Sequence, residues 1–174
     1  NPGWHLAFVG FIVGGIAAPE LGMGGLAMAL LWGTIPVAVA IWGVSAVQLI
    51  RRIPPAPLRP MLAIHLAPAS LFATVAGQMS VPWLPLLAVG LGGVILLGLL
   101  VSLRWITESG FSAMWGAFTF PLAAFASALF LAGWEVPGML VLAAALGVVP
   151  VIAYRVITLW GSGRLAAVTN AAEA

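Results

Sequence analysis

Few residues in this chain can do chemistry, and their placement limits which chemistry is open to them. Two histidines, His5 and His65, are the only imidazoles, and each falls a few residues inside the same end of an apolar run. They can act as axial ligands to a haem or pigment, or each can hydrogen-bond to a neighbouring helix, His65 also to the loosened backbone ahead of Pro68. The hydrogen-bonded reading is the stronger, and no cofactor is expected, His65 being the one ligand candidate. Ser70, Thr74, Thr119 and Ser127 accompany Pro68 and Pro121 in the third and fifth apolar runs. Such hydroxyls can line a path and replace part of an anion's water, or bond back to carbonyls of their own helix; the company of the prolines favours lining. Phe118 and Phe120 stand two residues apart beside Pro121, so only one can look inward. A phenylalanine in a narrow apolar passage can gate by occlusion and dewetting; taken alone, an ordinary packed aromatic is the better reading.

The absences exclude whole classes. No Asp, Glu or Arg lies near the middle of an apolar run, which argues against a buried carboxylate relay or an ion-pair-coupled pump. There is no acid pair, no Gly-rich phosphate loop and no metal-ligand cluster, and cysteine is absent altogether, so an enzyme is not expected.

These residues are carried by a chain that is 63% hydrophobic and 6% charged over 174 residues, where a soluble domain carries about 25% charged residues. The composition reads as an all-α integral membrane protein. The basic residues are all arginines, dispersed along the chain, so they report membrane topology rather than a nucleic-acid surface. Crossing the hydrocarbon takes roughly 20 apolar residues. Six runs approach that length in a single transmembrane domain: residues 4–18, 21–50, 61–78, 83–103, 111–132 and 138–160, read as three helical hairpins. The first is short for a crossing and is expected to begin upstream of the residues given. The start, Asn1-Pro-Gly, carries neither Met nor a basic stretch, so it does not read as a signal peptide; either the beginning was removed or more chain precedes it. The second run is long enough to tilt or to bend at Pro36. Residues 53–60 hold four prolines and read as a connection. The run Met114-Trp-Gly-Ala-Phe-Thr-Phe-Pro-Leu-Ala-Ala-Phe-Ala126 should kink between Phe118 and Pro121, because the proline removes a helical hydrogen bond and crowds the preceding turn.

With six crossings, Arg51, Arg52, Arg59, Arg104, Arg155 and Arg164 all fall on one side and Glu20 and Glu135 on the other. The positive-inside rule then places both ends in the cytoplasm, in a bacterial inner membrane. Trp83 and Trp134 mark the outer interface, Trp105 and Trp160 the inner. Pro68-Ala-Ser-Leu-Phe72-Ala73 matches Pro121-Leu-Ala-Ala-Phe125-Ala126 about one hairpin later, either an internal repeat of the kind transporters use or coincidence in an Ala-rich chain. Gly10, Gly14, Gly15, Gly22, Gly24 and Gly25, and the cluster Gly90-Leu-Gly-Gly93, are read as sites of close helix packing.

The run Trp115-Gly-Ala-Phe-Thr-Phe120-Pro121 resembles the ninth helix of the tellurite-resistance and malic-acid transporter family, to which the plant slow anion channels belong. Asn1-Pro-Gly-Trp-His-Leu-Ala-Phe-Val-Gly10 resembles the start of that family's fifth helix, and Pro54-Pro-Ala-Pro-Leu-Arg-Pro-Met-Leu-Ala-Ile-His-Leu-Ala-Pro-Ala69 is similar to the approach to its seventh. The resemblance implies a ten-helix, five-hairpin fold whose kinked inner helices surround an apolar anion pathway closed by one phenylalanine. On this chain that gate is Phe120, Pro68 and Pro121 set the kinks, and Phe72, Thr74, Thr119 and Phe125 are candidates to line the path. Only six of the ten helices are covered. The implied activity is passage of small anions, chloride- or nitrate-like, dicarboxylate or tellurite-type, with membrane lipid and further membrane chains as partners, in an oligomer or a larger association. The other reading is a structural membrane subunit without transport.

Overall fold

A computed structural model describes residues 1–170. Among them the chain is helical throughout, without strands, and five helical stretches are long and apolar enough to cross a membrane: Gly24–Arg51, Ala56–Gln78, Leu84–Val101, Ala113–Leu131 and Glu135–Gly161.

The expected first span, residues 4–18, is not a continuous helix. It consists of α1 (Trp4–Phe8), a 3-10 turn (Gly10–Val13) and α2 (Gly14–Ala17). Glycine holds a helix about 1 kcal/mol less well than alanine, and Gly10 and Gly14 stand at the two breaks. At about 1.5–2.0 Å per residue, the segment from Trp4 to Ala17 reaches roughly 20–28 Å, less than the ~30 Å of hydrocarbon.

The second span is α3 (Gly24–Arg51), which carries Pro36 in its interior. Thr34 stands two residues before that proline and donates its hydroxyl to the carbonyls of Leu30 at 2.6 Å and Leu31 at 3.3 Å. This is the local back-bonding of a hydroxyl buried on a helix. After Arg51 the backbone turns extended at Arg52, ahead of Pro54 and Pro55.

The proline-rich stretch departs from expectation. Residues 53–60 read as a connection, yet a 3-10 helix runs over Ala56–His65 and continues directly into α4 (Leu66–Gln78). Pro57 occupies the first turn, where a missing N–H costs nothing. Pro60 and Pro68 each deny a bond to an earlier carbonyl and press on the preceding turn, so the tighter 3-10 geometry takes the place of a regular α-helix up to His65.

After α5 (Leu84–Val101) and the short α6 (Leu103–Ile106), Ser112 caps a 3-10 turn (Ala113–Phe118) by accepting from the Met114 N–H at 3.3 Å. The geometry changes to α at Thr119, two residues before Pro121, giving α7 (Thr119–Leu131). Then follow α8 (Glu135–Gly161) and α9 (Leu165–Asn170).

The centre of the bundle is α4. Every residue from Leu66 to Ala76 is buried, because α3, α5, α7 and the broken N-terminal segment all pack against it. In contrast, α5 and α8 keep most of their apolar side chains on the outside; of α8 only Gly138, Ala145 and Ile152 are buried. Leucines and valines left outside such a bundle are what hydrocarbon would cover. Of the glycines read as close-packing sites, Gly92 of α5 lies against the ring of Phe125 and Gly15 against Val75, whereas a Cβ at Gly22, Gly25, Gly90 or Gly93 would meet nothing within 4 Å; Gly138 of α8, outside that reading, lies against the ring of Phe130.

One end of the molecule gathers the arginine contacts. Arg59 donates to the carbonyls of Pro54 at 3.1 Å and Trp105 at 3.2 Å, pairs with Glu108, and stacks its guanidinium 4.4 Å from the centre of the Trp105 ring. Arg155 lies over Phe111 at 5.2 Å. The stretches following α3 and α6 and the later part of α8 therefore meet at the same end.

Candidate functional site

Three interrupted segments meet at Phe120. Its ring stands over a small crevice of about 50 Å³, walled by His5, Leu6, Val9 and Gly10 from the N-terminal segment and by Ile64, Ala67 and Pro68 from the α4 stretch. Each wall comes from a place where helix regularity fails: the Gly10 break, the 3-10 stretch ahead of Pro68, and the 3-10 turn ahead of Pro121. The neighbouring Phe118 is buried and packs edge-on against Trp115 at 6.0 Å, whereas Phe120 is 47% exposed. The two-residue spacing thus separates the rings as the sequence predicts. The outer side of the Phe120 ring is open on this chain, and its inner side covers the surface of α4.

At the edge of the crevice, His5 Nε2 and His65 Nδ1 are 2.9 Å apart, a direct hydrogen bond between rings crossed at 86°. A metal held between two ring nitrogens would separate them by about 4 Å at the usual ~2.0 Å bond length. The observed pairing is therefore the hydrogen-bonded arrangement, too short for a metal held between these two nitrogens. Trp42 completes the cluster. Its ring lies 5.5 Å from that of His5 and meets Phe72 edge-on at 6.2 Å, and its indole N–H donates to the His65 carbonyl at 3.2 Å. That carbonyl stands at the junction of the 3-10 stretch and α4, so Trp42 ties α3 to the backbone just ahead of Pro68. His5 Nδ1 is buried without a hydrogen-bond partner.

The remaining candidates fall elsewhere. Pro68 and Pro121 are both buried. Phe72 is 4% exposed and packed on Trp42; Phe125 is 2% exposed and fills the gap left by Gly92. Both belong to helix–helix contacts and not to an open lining. The hydroxyls turn inward on their own helices: Ser70 donates to the Leu66 carbonyl, Thr74 to Ser70, Thr119 to Gly116 and Ser127 to Ala123. Their back-bonding fills the one donor each possesses, so the lining role expected of Thr74 and Thr119 is not the one their donors serve here.

Sequence reasoning missed Trp42 and Ser45, which lie on α3 one turn apart facing the histidines' end of the bundle. A tryptophan and a serine spaced by three within an apolar run were the available signal. No protein-family model matches the chain, and neither a curated protein nor a solved structure matches it.

Proposed function

We propose that the chain forms one wall of an anion channel or transporter of the kind built by the tellurite-resistance and malic-acid transporter family, with Phe120 as the occluding ring. The observation that carries this reading is the convergence of three interrupted segments on one phenylalanine over an apolar crevice. In hydrocarbon, irregular backbone is tolerated where protein or a cavity shields it, and broken helices around a shared point are how transporters build a path. The three inner segments, two of them kinked at Pro68 and Pro121, would supply three of five pore-lining helices, with other helices or chains closing the pathway on the open side of Phe120. No charged group approaches the crevice, so small anions would be drawn by backbone dipoles and pass without tight binding. Both chain ends would lie on the cytoplasmic side of a bacterial inner membrane, with the arginine end inside; Asn1 lies beside Gln48, 3.2 Å from its Oε1, next to Arg51 and Arg52, so this topology needs the broken N-terminal segment, short as it is, to make the first of six crossings. No catalytic step enters this mechanism.

The test is anion flux into liposomes carrying the protein together with whatever chains co-purify with it. Phe120→Ala should raise flux at least several-fold, and unchanged flux would remove the gate.

A second reading, a structural membrane subunit without transport, is favoured by a different observation. Helix α4 is buried from Leu66 to Ala76, so the chain by itself encloses no lumen. Stoichiometric recovery within a larger complex, with no flux in wild type or in Phe120→Ala, decides for it.

A further inference from the structure

A trough of about 300 Å³ separates α3 from α5 toward the arginine end, on the other side of the His5–His65 pair from the Phe120 crevice. Its walls are Trp42, Ala46 and Leu49 on one side and Ile95, Gly98 and Leu99 on the other, closed by His65, Ser102 and Trp105. At Ser45, Leu49 and Leu62 it adjoins a wider cavity of about 520 Å³, lined also by Gln48, Arg52 and Leu58. Both volumes fall within or at the edge of the roughly 300–1,000 Å³ of small-molecule sites.

Three observations bear on the occupant. The trough is almost wholly apolar, yet Ser45, only 8% exposed, lines both cavities with its hydroxyl unpartnered. A buried hydroxyl without a partner costs about 1–3 kcal/mol, which a ligand oxygen or N–H at the junction would relieve. The guanidinium of Arg52 at the wide end has no ion pair among the described residues, and no acidic residue lines either cavity. Arg59 nearby is already committed to Glu108 and two carbonyls. Finally, a helix about 10–12 Å across would fill 300 Å³ in less than one turn, so the trough takes a slender chain and not another helix.

We propose that this groove holds one anionic phospholipid, an acyl chain lying in the trough between α3 and α5, the glycerol-ester region at Ser45 and the headgroup phosphate at Arg52 and Gln48. The charge order fits: apolar walls toward the membrane interior, a hydroxyl at the junction, a free cation at the interface. Arginine near a membrane surface attracts anionic lipid by about 1 kcal/mol.

Native mass spectrometry of the detergent-purified protein with added phosphatidylglycerol or phosphatidylcholine tests this. The expected result is one retained phosphatidylglycerol per chain, preferred over phosphatidylcholine about fivefold. Arg52→Gln should abolish the preference while leaving some retention of both. Gly98→Leu should abolish retention itself; a Cβ at Gly98 meets nothing within 4 Å, so the added side chain projects into space and the fold survives, which circular dichroism checks. Ala46→Phe fills the trough from the opposite wall and should act alike. Equal retention of the two lipids by wild type, or retention unaltered by both filling variants, would overturn the proposal. So would thermal stabilisation by inorganic phosphate alone that is lost in Arg52→Gln, which would assign an anion site without an acyl chain. A dimer dispersed by Gly98→Leu in the absence of bound lipid would instead give the trough to a second copy.

Discussion

His5 and His65, sixty residues apart in the chain, are joined ring to ring by a 2.9 Å hydrogen bond. The bond ties the broken N-terminal segment to the 3-10 stretch ahead of α4, two pieces of backbone that lack the regularity to hold themselves. A buried pair of this kind should contribute measurably to stability. Replacing either histidine by alanine should lower unfolding free energy by about 1–3 kcal/mol, and the double variant should reveal a coupling of about 0.5–1.5 kcal/mol by a mutant cycle in detergent. Simple additivity would mean that the two rings do not stabilise one another.

At Gly92 the ring of Phe125 occupies the place a Cβ would need. Gly92→Ala should therefore force α5 and α7 apart and cost about 1–3 kcal/mol by overpacking. Adding Phe125→Leu should return part of that loss, since a smaller side chain frees the space. Gly93→Ala, where nothing lies within 4 Å, is the control and should be neutral to stabilising by up to about 1 kcal/mol.

Arg59 and Glu108 form an asymmetric pair, with side chains 12% and 62% exposed. Removing the exposed acid in Glu108→Gln should change stability by less than about 0.5 kcal/mol. Arg59→Ala strips donors from the Pro54 and Trp105 carbonyls and uncovers the Trp105 ring, so it should cost more, about 1–3 kcal/mol. Thermal unfolding of the two variants side by side reads the difference; equal losses would contradict it.

Ser80 closes α4 in the left-handed region, φ 55°, with its N–H bonded to the Gly77 carbonyl and that of Val81 to Ala76. Equivalent turns after α2, α7 and α8 use Gly22, Gly133 and Gly163. A side chain in that conformation costs about 1 kcal/mol, so Ser80→Gly should raise the unfolding temperature, whereas Ser80→Val should lower it.

The amino-acid sequence by itself determined the class of this molecule and the approximate length of five of its helices. Apolar runs near 20 residues admit few alternatives, and Pro54, Gly110 and Gly133 punctuate them where local chemistry alone decides. It also distinguished Phe118 from Phe120, because two residues along a helix turn side chains to different faces whatever surrounds them. What it left open depended on neighbours. Residues 4–18 look as apolar as the other runs, yet Gly10 and Gly14 break them, and residues 56–60 look like a loop, yet Pro57 and Pro60 fit a 3-10 helix once α6 and the Ala113–Phe118 turn pack beside it. Whether a histidine ligates or hydrogen-bonds, whether Thr74 faces a path or its own backbone, and whether Phe125 lines a lumen or fills the gap at Gly92 are questions of what stands within 4 Å. Only tertiary structure decides them, because segments far apart in sequence supply the contacts: α3 brings Trp42 to His65, and α5 brings Gly92 to Phe125.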